Sequence, residues 1–212
     1  MATHPEHTIP GFLHAMACGA DGVELDVAVT LDDALVVTHD LILVVTHDLI
    51  LEAGGRIVPS LDEVLRLQSP ENFQFDIEAK VAPGLTPPVE RYARLLSEAI
   101  RRSPVRHRVV VRSFDHGILR AFHALEPDIP LAALIGCQSD AWPSIARAAN
   151  ASIVSPHAST VTGERVRKAH DAGIRVSVWT VNQPKDWDRL AALGVDAIIT
   201  DDPAAAVTYF SR

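Results

Sequence analysis

Glu24, Asp26, Asp76, Glu78 and Lys80 fall at alternate positions of two apolar stretches, VELDVAV (23–29) and FQFDIEAK (73–80). In an extended chain successive side chains point to opposite faces, so Val23, Leu25 and Val27 share one side and Glu24 and Asp26 the other. The second stretch opposes Phe73, Phe75 and Ile77 to Asp76, Glu78 and Lys80 in the same way. If the apolar faces pack on helices, the charged faces turn inward or to a rim, where a carboxylate without a partner is costly. Glu24, Asp26 and Glu78 are then three hard oxygen donors from two strands, a set suited to Mg²⁺ or Ca²⁺. Lys80, two positions past Glu78, can hold a phosphate oxygen beside such an ion. A solvated sheet edge or an ion-pair network around Lys80 is the plainer use of either strand alone; the shared parity of the two favours a metal site.

An eight-residue phrase, LVVTHDLI, is spelled twice in succession, at 35–42 and 43–50. The polar TLDD before the first copy suits a tight turn and is too brief for a parallel crossover. A hairpin centred between Leu31 and Asp32 sets Glu24 opposite His39 and Asp26 opposite Val37. A neutral imidazole there can serve as general acid or base for a group bound at the metal. The repeat length is even, so His47 keeps the face of His39 but lies roughly 26 Å further along an extended strand. The two histidines therefore compete for one place. The compact turn before the first copy favours His39; a turn swollen to include that copy puts His47 there instead.

These side chains need a frame. Besides 23–29 and 73–80, the runs at 109–114, 131–136, 151–156, 175–181 and 197–201 read as strands. Helix signals lie between them: Ser60 with Glu63 as a capping box, Thr86 before Pro87 and Pro88, Asp115, Thr162, and Asn182 before Pro184, with Gly173 and Gly194 as stops. Repeated strand–helix units predict an α/β fold with a parallel sheet, most commonly a (β/α)₈ TIM-type barrel, with a doubly wound open sheet as the alternative. No G-x-G-x-x-G or P-loop follows a strand, which removes the usual nucleotide-binding versions.

A chain of 212 residues predicts a single domain spanning 1–212. Nineteen basic against 27 acidic residues, a net charge of -8, exclude a general attraction to nucleic acid or anionic lipid. The opening MATHPEHTIPGF lacks the basic and apolar regions of a leader, and no later run is apolar enough to span a bilayer, so a cytoplasmic location is expected. Cys18 and Cys137 are too few and too far apart for a disulfide framework or a metal-ligand pair and read as buried small hydrophobes.

Taken together, the segments resemble one family. ELDVAVTLDDALVVTHD resembles the hallmark strand and hairpin of the glycerophosphodiester phosphodiesterases, ELDV, a turn, then VVxHD. PEHTIPGF (5–12) resembles their PENTxxAF, FDIEAK their NIEIK, and VVVRSFD their VVxSSFD; VSVWTVNQP and GVDAIITDDP resemble their last two βα units. The likeness is collinear over nearly the whole chain. It implies a metal-dependent phosphodiester hydrolase that acts on a small-molecule phosphodiester and releases an alcohol and glycerol 3-phosphate. By position it assigns the divalent metal to Glu24, Asp26 and Glu78, the phosphate-side cation to Lys80, a catalytic histidine to His39 and a substrate-contacting aromatic to Trp179, whose plainer use is in the core. The family's other catalytic histidine, in a His-Arg-Gly strand, precedes the proline that Pro5 matches; this chain begins at Met1, so the barrel is expected to lack its first strand. His4 and His7 read as surface or capping residues. With one histidine missing, turnover is expected to be weak, and a non-catalytic metal- and phosphate-binding protein of the same fold is the alternative.

Overall fold

The computed structural model describes residues 4–39 and 58–211; the second LVVTHDLI copy, and His47 with it, lies outside the described residues. Eight strands, β1 (Gly22–Val29), β2 (Leu35–Val37), β3 (Gln74–Ala79), β4 (Val109–Ser113), β5 (Leu131–Ile135), β6 (Ile153–Pro156), β7 (Arg175–Val178) and β8 (Ala197–Ile198), form one sheet in the order β2-β1-β3-β4-β5-β6-β7-β8. Strand β2 runs antiparallel to β1, and all other pairings are parallel. The helices among the described residues are α1 (Ile9–Ala17), α2 (Leu61–Leu65), α3 (Val89–Arg102), α4 (His116–Leu125), α5 (Trp142–Ala148), α6 (Gly163–Asp171), α7 (Pro184–Ala192) and α8 (Pro203–Phe210). This is the curled strand–helix architecture of a TIM-type barrel. Among the described residues no pairing joins β8 to β1.

All seven predicted strands form. Most end earlier than expected, at Ala79, Ser113, Ile135, Val178 and Ile198, although Lys80 and Trp179 still donate their backbone N–H to Val27 O and Pro156 O at 3.0 and 3.2 Å. The alternation in β1 and β3 divides the environments as expected. Leu25, Val27, Phe75 and Ile77 are fully buried in one core with Tyr92, Leu96 and Ile100 of α3, each contributing about 1.5–3 kcal/mol by leaving water. Tyr92 also donates its hydroxyl to the carbonyl of Val27 at 2.5 Å, tying α3 to β1.

Ser60 and Glu63 make the reciprocal capping box of α2, and Asp115 and Thr162 cap α4 and α6. Thr86 and Asn182 do not cap. Helix α3 starts after Pro88 and α7 after Gln183, while Thr86 closes a turn on the N–H of Ala82 and Asn182 accepts the N–H of Asp201. Gly173 and Gly194 stop α6 and α7 in the left-handed region, with φ of 74° and 75°, where a side chain would be strained.

The inner face of the sheet is unusually polar for a barrel. Val110, Ala132 and Ile153 fill one layer, but two residues further along β4 the fully buried Arg112 pairs through two nitrogens with both carboxylate oxygens of Asp76. It also donates to Ser155 Oγ at 3.1 Å.

The β1–β2 hairpin differs from expectation by one residue. Val27 pairs with Val37 and Val29 with Leu35, because the loop has three residues, Leu31–Asp33, and Asp33 adopts a φ of 66°. The Thr30 N–H donates to Ala34 O at 2.9 Å and the Asp33 N–H to Thr30 O at 3.1 Å, the usual closure of a three-residue hairpin. Asp26 therefore faces Thr38, whose N–H donates to its carbonyl at 2.9 Å, and His39 is not the partner of Glu24. Cys18 is half-buried and Cys137 exposed, so the expectation of two buried thiols fails; both are free. No helix among the described residues is long and apolar enough to cross a membrane.

Candidate metal centre

The parallel register of β1 and β3 sets Glu24 beside Asp76 and Asp26 beside Glu78. Glu24, Asp26 and Glu78 each offer an oxygen, and these oxygens lie within 4.8 Å of one another. Asp26 and Glu78 are buried and Glu24 is half-buried. Lys80, the first residue beyond β3, reaches back with Nζ 3.3 Å from Glu78 Oε1 and 3.5 Å from Asp26 Oδ2. The strands thus carry the acids, and the loop carries the cation.

Proton affinities show what such crowding does. Burial, and then the negative charge of Asp26, push Glu24 up to about 6 and Glu78 up to about 7. Burial would raise Asp26 too, but the hydrogen bond and charge of His7, followed by the charges of Lys80 and His39, outweigh it and hold Asp26 below the usual carboxylate range. Burial would lower Lys80; Asp26 and Glu78 instead hold it above the ordinary lysine value. Arg112 is lowered to about 10 by burial, with Glu24 and Asp26 opposing that shift. With Arg112 matched to Asp76, three carboxylates face the Lys80 ammonium and the His7 ring. A doubly charged ion would balance them, and three hard oxygen donors suit such an ion.

The remaining expected residues, His39 and Trp179, lie just past β2 and β7. His39 is exposed one residue past Thr38, close enough for its charge to act on Asp26. Trp179 is half-buried just past β7 and donates Nε1–H to Ser155 O at 2.8 Å. Its ring meets Phe114 and His157 edge-on, with centroids 5.7 and 5.1 Å apart, so three side chains from different strand ends make an aromatic wall.

His7 corrects the expectation of a surface or capping role. Thr8 is the cap of α1, whereas the His7 side chain is only 11% exposed, with Nε2 3.0 Å from Asp26 Oδ2. Its backbone has a φ of 54°, which turns the ring away from the helix and into the cluster. Burial would depress its proton affinity, but the hydrogen bond and charge of Asp26 raise it. The signal in the sequence was slight: a histidine where the resembling pattern PENT has asparagine, a residue that also tolerates positive φ.

The sequence model of the glycerophosphoryl diester phosphodiesterase family matches residues 1–54 and 48–205. A glycerophosphodiester phosphodiesterase of Caldanaerobacter subterraneus is 33% identical over 98% of this chain and 93% of its own length. One from Bacillus altitudinis is 33% identical over 96% of this chain and 92% of its own length. Among solved structures, a glycerophosphodiester phosphodiesterase from Parabacteroides distasonis superposes with a TM-score of 0.82 at 25% identity, over 97% of this chain and 91% of that one. An Oleispira antarctica phosphodiesterase, solved with its product sn-glycerol-3-phosphate, shares the fold with a TM-score of 0.87 at 21% identity, over 98% and 92%.

Proposed function

Because this chain belongs to the glycerophosphoryl diester phosphodiesterase family of phosphoric diester hydrolases, we propose that it cleaves glycerophosphodiesters to an alcohol and glycerol 3-phosphate at the Glu24, Asp26 and Glu78 cluster. The observation that carries this reading is the convergence of three carboxylate oxygens within 4.8 Å, beside a lysine, along two adjacent parallel strands. Glu24, Asp26 and Glu78 hold a divalent cation, Mg²⁺ or Ca²⁺ by their oxygen donors. When bound, that ion supplies positive charge against the phosphoryl oxygens. Once the carboxylates are balanced, the Lys80 ammonium is available to a phosphate oxygen. The exposed His39 carries protons between solvent and the reacting oxygens. Trp179, with Phe114 and His157, presents a wall to the organic part of the substrate. The product held by the Oleispira antarctica relative is the one this reading assigns here.

The off-register position of His39 favours a second reading, a protein that binds metal and phosphate without turnover. The two separate in one experiment, release of glycerol 3-phosphate from glycerophosphocholine by purified protein with Mg²⁺ or Ca²⁺. Release abolished by EDTA and by Glu78→Gln supports hydrolysis; cation binding by calorimetry without release supports the binding protein. We assign the protein to the cytoplasm and to glycerophosphodiester breakdown in lipid metabolism; the two free cysteines suit a reducing compartment.

A further inference from the structure

The wall of Phe114, His157 and Trp179 has a chemistry that narrows which alcohol a diester bound here carries. It begins beside the phosphate-side lysine. Glu78 pairs with Arg112 in the β3–β4 register, so the same register carried two positions further sets Lys80 against Phe114, and Ser113 Oγ ties the two strand ends together through Ala79 O at 2.8 Å. His157 forms a bridge with Trp179. The Trp179 ring stands at 87° to Phe114 and 77° to His157, so the three present ring surface in more than one direction, as a stack would not. Phe114 is 43% exposed and open to a ligand.

Two of the three ring nitrogens of this wall are engaged by the protein itself. Trp179 gives its N–H to Ser155 O at 2.8 Å, and His157 Nδ1 accepts the Ser159 N–H at 3.3 Å. An incoming group therefore meets π surface more than hydrogen bonds. We infer that the wall selects an alcohol bearing a quaternary ammonium, the chemistry of choline, over one bearing a primary ammonium or hydroxyls. This rests on the reading of the site as one for glycerophosphodiesters and names the leaving group. A trimethylammonium has no N–H to satisfy and is drawn to aromatic faces, whereas ethanolamine or glycerol gives up water hydrogen bonds that the wall does not replace. In the reaction water supplies a hydroxyl to phosphorus and the bond from phosphorus to the choline oxygen breaks. That oxygen takes the remaining water proton, giving choline and glycerol 3-phosphate. Phe114 and His157 join Trp179 as residues that determine specificity.

The test compares the choline and ethanolamine esters of glycerol phosphate with an uncharged isostere in which a tert-butyl group replaces the trimethylammonium. With the full chain and Mg²⁺, kcat/KM for the choline ester is expected to exceed each of the others by about tenfold or more, the value of cation–π contacts with these rings. Dissociation constants from calorimetry should follow the same order. Phe114→Leu and Trp179→Leu bring the ratios toward one, while Phe114→Tyr keeps them. Equal kcat/KM for the choline and ethanolamine esters, or a preference that survives both leucine variants, overturns the inference and leaves hydrolysis standing. An isostere cleaved as well as the choline ester also overturns it and reduces the wall to an apolar surface. A chain that cleaves none of the three overturns hydrolysis instead; the dissociation constants then decide, and equal values for the choline and ethanolamine esters overturn the inference.

Discussion

At the scale of single residues, charge balance decides most of what the site does. Glu78 is 10% exposed in its side chain and pushed up to about 7; in the unfolded chain it returns to the ordinary carboxylate value. Its folded form therefore favours the protonated state, and the stability this gives is complete below the unfolded value and lost as pH rises through about 7. In EDTA the melting temperature should fall between pH 5 and 8. The Glu78 part of that loss is on the order of 3 kcal/mol, and Glu78→Gln should remove it; an equally steep fall in the variant would contradict the assignment. Lys80→Met should raise KM for glycerophosphocholine by roughly ten- to a hundredfold, the value of one charge-assisted hydrogen bond to phosphate. The acids and the lysine were legible because alternation along two strands displays them. His7 was not, since its contact spans 19 positions and depends on one positive φ.

Strands and loops set how those residues meet. Inward and outward faces of β1 and β3 were legible because the two environments demand different side chains. Hairpin register was not, because TLDD suits a two-residue turn as well as the three-residue loop that Asp33 allows, and a slip of one position exchanges the faces. Thr86 and Asn182 misled for a related reason: a residue able to cap a helix can equally close a loop. Inside the sheet, Arg112 and Asp76 stand where the resembling patterns VVxSSFD and NIEIK carry serine and asparagine, so one buried ion pair replaces two neutral side chains. Removing Arg112 leaves the half-buried Asp76 carboxylate without its partner. Arg112→Met should destabilise the protein by about 3–5 kcal/mol in chemical denaturation, and adding Asp76→Asn should recover most of that loss. A single variant as stable as the wild type would show that the pair does not matter.

Across the whole molecule, the sheet order brings β1 and β3 side by side and sends Lys80, Phe114, His157 and Trp179 to the same end from different strands. Parallel barrels place their chemistry at that end because the loops there can vary while the strands hold still. The barrel class was legible from repeated strand–helix units; the polar interior, which needs three-dimensional pairing of Arg112 with Asp76, was not. A cation that binds only the folded protein should stabilise all of it. At a free concentration near a hundred times Kd the gain is about 2.7 kcal/mol, a rise of roughly 5–10 °C in melting temperature for a chain of this size. Asp26→Asn should abolish the rise.

Crystals soaked in Mn²⁺ and measured at the manganese absorption edge locate the ion directly. An anomalous peak at about 2.1–2.2 Å from oxygens of Glu24, Asp26 and Glu78 is the expected result. A peak elsewhere on the protein with this cluster empty would contradict the reading of these three acids as the metal site.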